Sequence, residues 1–309
     1  MDILTNNKNF ISDPSLISAE SSKEKSISEL SIEIKNSQEG QDLISKSKDN
    51  LNTLYNLPEY YDIAFSRDLS KDIEFLIKCF WKYAAIEIKI LLEPACGSGI
   101  FLAAFPKYGF NIIGYDLSPE MVIYANERIE ESGFSDNAKA ILGDMRNIKF
   151  DQKFDAAVVT INSIGYLTSE EDILNHFRNT AQCLNRGGLY ILEIASACED
   201  IKNEIKPDEV WFAERNGIKV ESKWYPYKYD FQNKTRHILF SMKVQHNDQF
   251  FEYEEEHTLR LWLFNDIKRI VQEAGFEIKA IHNQDYDLIP LNSNITGELG
   301  ALYYILMKV

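Results

Sequence analysis

The chain is poor in the residue patterns that build disulfide frames and zinc sites. Its four cysteines, Cys79, Cys96, Cys183 and Cys198, form no C-x-x-C pair, and its five histidines form no H-x-x-x-H. No metal is expected. Positive charge is also scarce: 33 Lys and Arg stand against 48 Asp and Glu, for a net charge of −15. Such a field repels phosphate backbones and disfavours a nucleic-acid partner. No run approaches the roughly 18 apolar residues of a membrane span, and the amino terminus lacks a basic-then-apolar signal layout. The expectation is a cytoplasmic protein with no membrane partner, acting on a small molecule or a basic peptide.

Apolar residues make up 45% of the 309 positions, enough for a full α/β core with an addition. Residues 1–50 are set apart by eleven serines and a single aromatic, Phe10. That composition cannot offset the entropy of ordering, so a disordered arm is expected there, followed by one domain over 51–309. Periodic apolar positions from Ile73 to Ala84 predict a helix that packs at the sheet edge ahead of the first strand.

The domain is organised around Ile90 to Phe101, which reads ILLEPACGSGIF. A short apolar run ends in Glu93, and the small residues Ala95 to Gly99 turn into an apolar segment expected to be helical to about Tyr108. Gly97 and Gly99 let the backbone approach a ligand closely, as nucleotide-like cofactors require. Two readings compete here. A dinucleotide fold needs a small residue where Leu102 stands, and Glu93 sits badly beside a pyrophosphate. S-adenosylmethionine (SAM) carries an ammonium and a sulfonium that a carboxylate favours.

Further strands are predicted at Asn111 to Tyr115, ending in Asp116; at Ala138 to Leu142, before Gly143-Asp144-Met145; at Phe154 to Ile161, before Asn162; and at Leu189 to Ala195. Ser118-Pro119-Glu120 reads as the cap and first turn of a helix through Glu131, and a second helix runs from Glu170 to Leu184. This alternation implies parallel strands with right-handed crossovers and a ligand crevice at their carboxyl ends. From Trp211 to Leu261 the pattern becomes alternating, with strands at Lys219 to Tyr225, Arg236 to Gln245 and Gln249 to Arg260. A three-stranded antiparallel insertion over 200–261 is expected as a substrate cap. Asn265 should then cap a helix to Ala274, and Phe276 to His282 and Ala301 to Lys308 complete the main sheet. His176 and His282 are expected at the surface.

With these residues in place, the chain from about Leu54 to Val309 resembles the class I SAM-dependent methyltransferases, in the small-molecule branch that holds glycine and sugar-amine N-methyltransferases. The resemblance implies a Rossmann-like, mostly parallel seven-stranded sheet with helices on both faces. It implies SAM as cofactor, S-adenosylhomocysteine as product, and methyl transfer by in-line displacement to an N or O atom. It also implies that Glu93, Ala95, Gly97 and Gly99 line the methionine moiety and that Asp116 takes the ribose. Leu117 and Met121 would flank the adenine, Asp144 would accept from its amino group, and Met145 would lie against its face. Thr160 and Ile161 would sit beneath the sulfonium, with Tyr61 closing over the cofactor.

Two departures from the family pattern bear on function. Ala95 replaces the first glycine, which a methyl group tolerates where φ is negative. Glu193-Ile194-Ala195-Ser196 replaces the Asp-His-Arg-Asn of glycine methylators, so glycine is not the expected acceptor. Catalytic candidates are Asn162, which could orient an amine, and His257 with Arg260 at the return from the insertion. His257 is either a base or packed beneath the insertion, with Arg260 paired to a preceding glutamate. Trp211, Trp224, Tyr225, Tyr227 and Tyr229 form either a cation–π cage or an ordinary sheet face. A SAM sensor without turnover and a nucleotide-dependent oxidoreductase are the alternative functions. The oligomeric state is open, with a homodimer among the options.

Overall fold

The computed structural model describes residues 54–195, 209–293, 295 and 299–309. The expected arm over 1–50, Cys198 and the start of the insertion lie outside these residues. A 3-10 turn (Leu54–Asn56) leads to α1 (Pro58–Phe65) and α2 (Ser70–Tyr83). Then follow β1 (Ile90–Pro94), β2 (Asn111–Asp116), α3 (Pro119–Glu131), β3 (Ala138–Leu142), β4 (Phe154–Val159), α4 (Glu170–Cys183) and β5 (Leu184–Ala195). The insertion comprises β6 (Glu209–Arg215), β7 (Ile218–Asp230), β8 (Thr235–His246) and β9 (Gln249–Arg260). After it come α5 (Phe264–Glu273), β10 (Phe276–His282), β11 (Leu288–Ile289) and β12 (Ala301–Lys308).

The main sheet runs β11-β10-β12-β5-β4-β1-β2-β3, with β1 to β5 parallel and β12 antiparallel to both β5 and β10. Its central strands are covered on both faces, which is why they read as continuous apolar runs. Leu91, Ala156, Val158 and Ile191 face a core completed by Phe80, Phe101, Phe105 and Ala125. Leu92, Ala157, Val159 and Leu192 face the other, with Ile173, Phe177, Ile267 and Ile270. The sheet has eight strands rather than seven because the two-residue β11 pairs with the end of β10.

Several expectations are corrected. The segment after the glycine turn is not an α-helix: it makes turns and a 3-10 helix at Phe105–Tyr108. Pro106 lacks an N–H to continue a ladder, and Gly109 ends the segment at φ +86°. α2 packs against β5 and β12 in the middle of the sheet, not at its edge. β4 stops at Val159, since Ile161 (φ +56°) and Asn162 (φ +55°) leave extended backbone. β5 begins at Leu184 rather than at Leu189, with a register shift between Phe154 and Ala156 of β4. Asn265 does not cap α5; Leu263 is the N-cap residue and makes no side-chain cap bond.

The insertion has four strands, β6-β7-β8-β9, not three. Asn216 and Gly217, both at positive φ, join β6 to β7 in the manner of a two-residue hairpin. Inward residues Ile218, Val220, Phe240, Met242 and Val244 pack on Leu54, Ile63 and Ala64, so α1 lies under the small sheet. His176 and His282 are buried, not superficial. His176 lies on the core stripe of α4 with Ile173, Phe177 and Thr180, at helical spacing. His282 is held between the Tyr83 hydroxyl (3.2 Å) and the Tyr286 carbonyl (2.8 Å).

Candidate active site

A cavity of about 910 Å³ opens where β1, β2, β4 and β5 end, beneath the insertion. Parallel strands leave their carboxyl ends and the following turns facing one crevice, so the residues just past each strand line it. Glu93, Ala95 and Gly97 come from the end of β1, Asp116 and Leu117 from β2, and Asp144 and Met145 from β3. Thr160, Ile161 and Asn162 follow β4, and Tyr61 comes from α1. Gly99, Met121, His257 and Arg260 are not among the lining residues.

Gly99 has a packing task. At φ +75°, an added Cβ would lie 2.7 Å from the Ala125 Cβ, so its missing side chain lets the turn seat on α3. Met121 is fully buried, and its N–H donates to the Ser118 Oγ that caps α3. Ala95 stands at φ +53°, contrary to the negative φ its methyl would prefer.

Glu93 is only 5% exposed, and its Oε2 has no hydrogen-bond partner. Burial, reinforced by Asp116, pushes its carboxyl well above the usual range. A buried acid of this kind is costly unless a cation or a proton compensates it. Asp116 accepts from the N–H groups of Gly97 and Ser118, both at 2.9 Å. Burial raises its pKa too, partly offset by those amides. Asp144 accepts from the Arg146 backbone N–H at 2.9 Å and pairs with the Arg146 guanidinium.

Deeper in, Asp62 joins four elements. Arg128 of α3, Arg215 of β6 (2.6 Å), Ser98 of the glycine turn (2.9 Å) and Ser66 (2.9 Å) all contact its carboxylate. Burial would raise this acid, but the two arginines outweigh it and hold it below its ordinary value.

On the other side, Asn162 Oδ1 accepts the Ala195 N–H at 3.0 Å, and Glu193 Oε2 accepts the Ile161 N–H at 2.8 Å. The tips of β4 and β5 are thus pinned reciprocally. The roof holds Tyr55, Tyr166, Trp211, Trp224 and Arg236. Tyr55 donates to the Tyr166 hydroxyl at 2.6 Å, and that hydroxyl lies 3.2 Å from His257 Nδ1. His257 is buried against Trp224, with ring centroids 5.4 Å apart. Burial lowers its pKa, partly offset by Glu255. Arg260 donates to the Thr168 carbonyl at 2.9 Å and lies over the Trp262 ring, rather than pairing with a glutamate of its own strand.

Residues 91–188 match the family model described as a methyltransferase domain. These residues form a methyltransferase domain. Among curated relatives of this methyltransferase is the dTDP-3-amino-3,4,6-trideoxy-alpha-D-glucopyranose N,N-dimethyltransferase of Streptomyces venezuelae. It is 32% identical over 107 residues, covering 35% of this chain and 43% of that relative, so under half of that relative's length is matched. Among solved structures, a SAM-dependent methyltransferase from Clostridium acetobutylicum superposes with a TM-score of 0.67 at 20% identity. That match covers 83% of this chain and 99% of the other. The sugar N-methyltransferase KedS8 from Streptoalloteichus has a TM-score of 0.64 at 17% identity, over 84% of this chain and 94% of its own.

The site suits SAM, the cofactor that the sequence resemblance implies. The unpartnered, buried Glu93 carboxyl asks for a cation, and Gly97 leaves a cradle in which an added Cβ would meet nothing closer than Tyr61 Cε1 at 3.9 Å. Glu193, Tyr55, Tyr166 and Arg236 are lining residues beyond the sequence-predicted set. The rule that singles out Glu93 and Asp116, an acid at the carboxyl end of a parallel strand, applies equally to Glu193.

Proposed function

We propose that this methyltransferase methylates an amine nitrogen on a small-molecule acceptor. The observation that carries this reading is the sign of the cavity wall. Glu93, Asp116, Asp144 and Glu193 all stand at strand ends, and one of these, Asp144, is neutralised by Arg146. A wall of this kind favours a cationic cofactor and a cationic acceptor, and it disfavours a carboxylate or a phosphate in the reacting position. The sugar N-methyltransferases among the relatives support the same acceptor class.

Glu93 and the backbone around Ala95 and Gly97 would hold the methionine part of SAM, Asp116 the ribose, and Leu117, Asp144 and Met145 the adenine. Bound there, SAM supplies an electrophilic methyl group. The chain's own task is to hold the acceptor nitrogen in line with it and to keep water out. Tyr61 and the Tyr55–Tyr166 pair would close the roof over the reacting atoms. Asn162 braces the turn with its side-chain oxygen, which leaves positioning rather than proton transfer as its contribution.

Purified protein with SAM and a panel of amino sugars, alkylamines, phenols and carboxylates provides the test. S-adenosylhomocysteine should accumulate with amines alone. Accumulation only with phenols or carboxylates would refute the nitrogen assignment.

A further inference from the structure

Resting on the amine reading, we infer that Glu193 is the acceptor subsite: it binds the acceptor's ammonium and takes its proton before methyl transfer. The strand order separates the two halves of the cavity. Glu93, Asp116 and Asp144 end β1, β2 and β3, on one side of the β4 tip, and Glu193 stands near the end of β5 on the other. An acceptor approaching the β4 tip from the side opposite the cofactor therefore meets Glu193.

The carboxylate is held in place for this task. Its Oε2 accepts the Ile161 N–H at 2.8 Å, on the left-handed turn that follows β4, and Asn162 braces the same turn against Ala195. Two other acids of the cavity are committed to arginines, Asp62 to Arg128 and Arg215 and Asp144 to Arg146. Arg67, whose field reaches Glu193, spends its guanidinium on Asp72 at 2.9 Å.

The groups facing Glu193 are Arg67, Asp72 of α2, Tyr303 of β12 and Tyr286 after β10. Burial raises the Glu193 carboxyl above its ordinary value, partly offset by the Ile161 amide, Arg67 and the Tyr303 hydroxyl. That narrows the gap to an amine, which is what a proton acceptor needs. One proton passes from the ammonium nitrogen to a Glu193 oxygen, leaving a neutral amine with a free lone pair and a neutral carboxyl. The proton returns to water when the product leaves.

The test titrates dimethylammonium into protein saturated with S-adenosylhomocysteine, observed by NMR. Wild type should bind it saturably. Glu193→Gln, which keeps an oxygen for the Ile161 N–H, should weaken it about ten-fold or more with unchanged melting temperature and SAM affinity. In wild type, where no substitution can disturb folding, binding should fall as pH is lowered through the titration of the raised Glu193 carboxyl, because the carboxylate is lost while dimethylammonium stays charged. Equal binding by both proteins, or pH-independent binding, overturns the inference. An amine methylated equally fast by Glu193→Gln would refute Glu193's role and leave the amine reading standing; absence of amine methylation by wild type would refute the latter.

Discussion

The Asn162 side chain accepts the Ala195 backbone N–H at 3.0 Å, tying the turn after β4 to the end of β5. Asn162 itself sits at φ +55°, a conformation that asparagine tolerates better than most residues. Asn162→Ala should therefore cost about 1–2 kcal/mol of stability, from a lost hydrogen bond and a strained φ. Thermal unfolding measures this, and an unchanged melting temperature would contradict the brace.

His257 does not line the cavity but meets its roof through Tyr166 and Trp224, so a positioning role is expected of it. His257→Ala should lower both the melting temperature and turnover. His257→Asn, whose oxygen can replace Nδ1 as the partner of the Tyr166 hydroxyl, should recover much of the turnover. A roughly hundred-fold loss of kcat in both variants at unchanged stability would instead make the imidazole a direct base.

His176 gives the fold a defined acid sensitivity. It is fully buried between the Tyr190 hydroxyl (2.6 Å) and the Met145 carbonyl (3.2 Å), and burial lowers its pKa from 6.5 to about 4. Because the folded pKa lies below the unfolded one, the unfolded chain binds more protons between these values. The contribution is fully present above pH 6.5 and is lost as pH falls toward 4, by about 3 kcal/mol in all. Urea unfolding across that range should show the loss, and His176→Gln should flatten this part of the profile.

Asp116 joins the glycine turn to the start of α3 through two backbone amides. Asp116→Ala should weaken SAM binding by at least about 1.5 kcal/mol and also lower stability, since two N–H groups lose their acceptor. Asp116→Asn, retaining one oxygen, should fall between. Calorimetric affinities equal to wild type would remove Asp116 from the cofactor site.

The half of the cavity proposed for the cofactor is legible in the sequence because its parts are local. Glu93, Ala95, Gly97, Asp116 and Asp144 each follow a short apolar run directly, so strand and turn are read together. The half proposed for the acceptor is harder to read because it is assembled across the chain. Tyr55, Tyr166 and His257 meet only when the insertion folds back over α1, and nothing in their spacing foretells that. Gly99 and Met121 sit within the cofactor motif's sequence yet face the protein interior, because a motif fixes position along the chain and not the direction of a side chain. The fourth inserted strand was readable from Asn216-Gly217, a hairpin turn at a two-residue spacing. The buried His176 was readable from helical periodicity with Ile173, Phe177 and Thr180.

The most direct measurement uses SAM labelled with 13C in its methyl group. The protein is incubated with the labelled SAM and an amino-sugar acceptor that offers both amine and hydroxyl groups, and the product is read by carbon–proton correlation NMR. Transfer to nitrogen predicts a single labelled N-methyl signal, growing in step with S-adenosylhomocysteine. A labelled O-methyl signal, or S-adenosylhomocysteine formed with no labelled product, would contradict amine methylation by this protein.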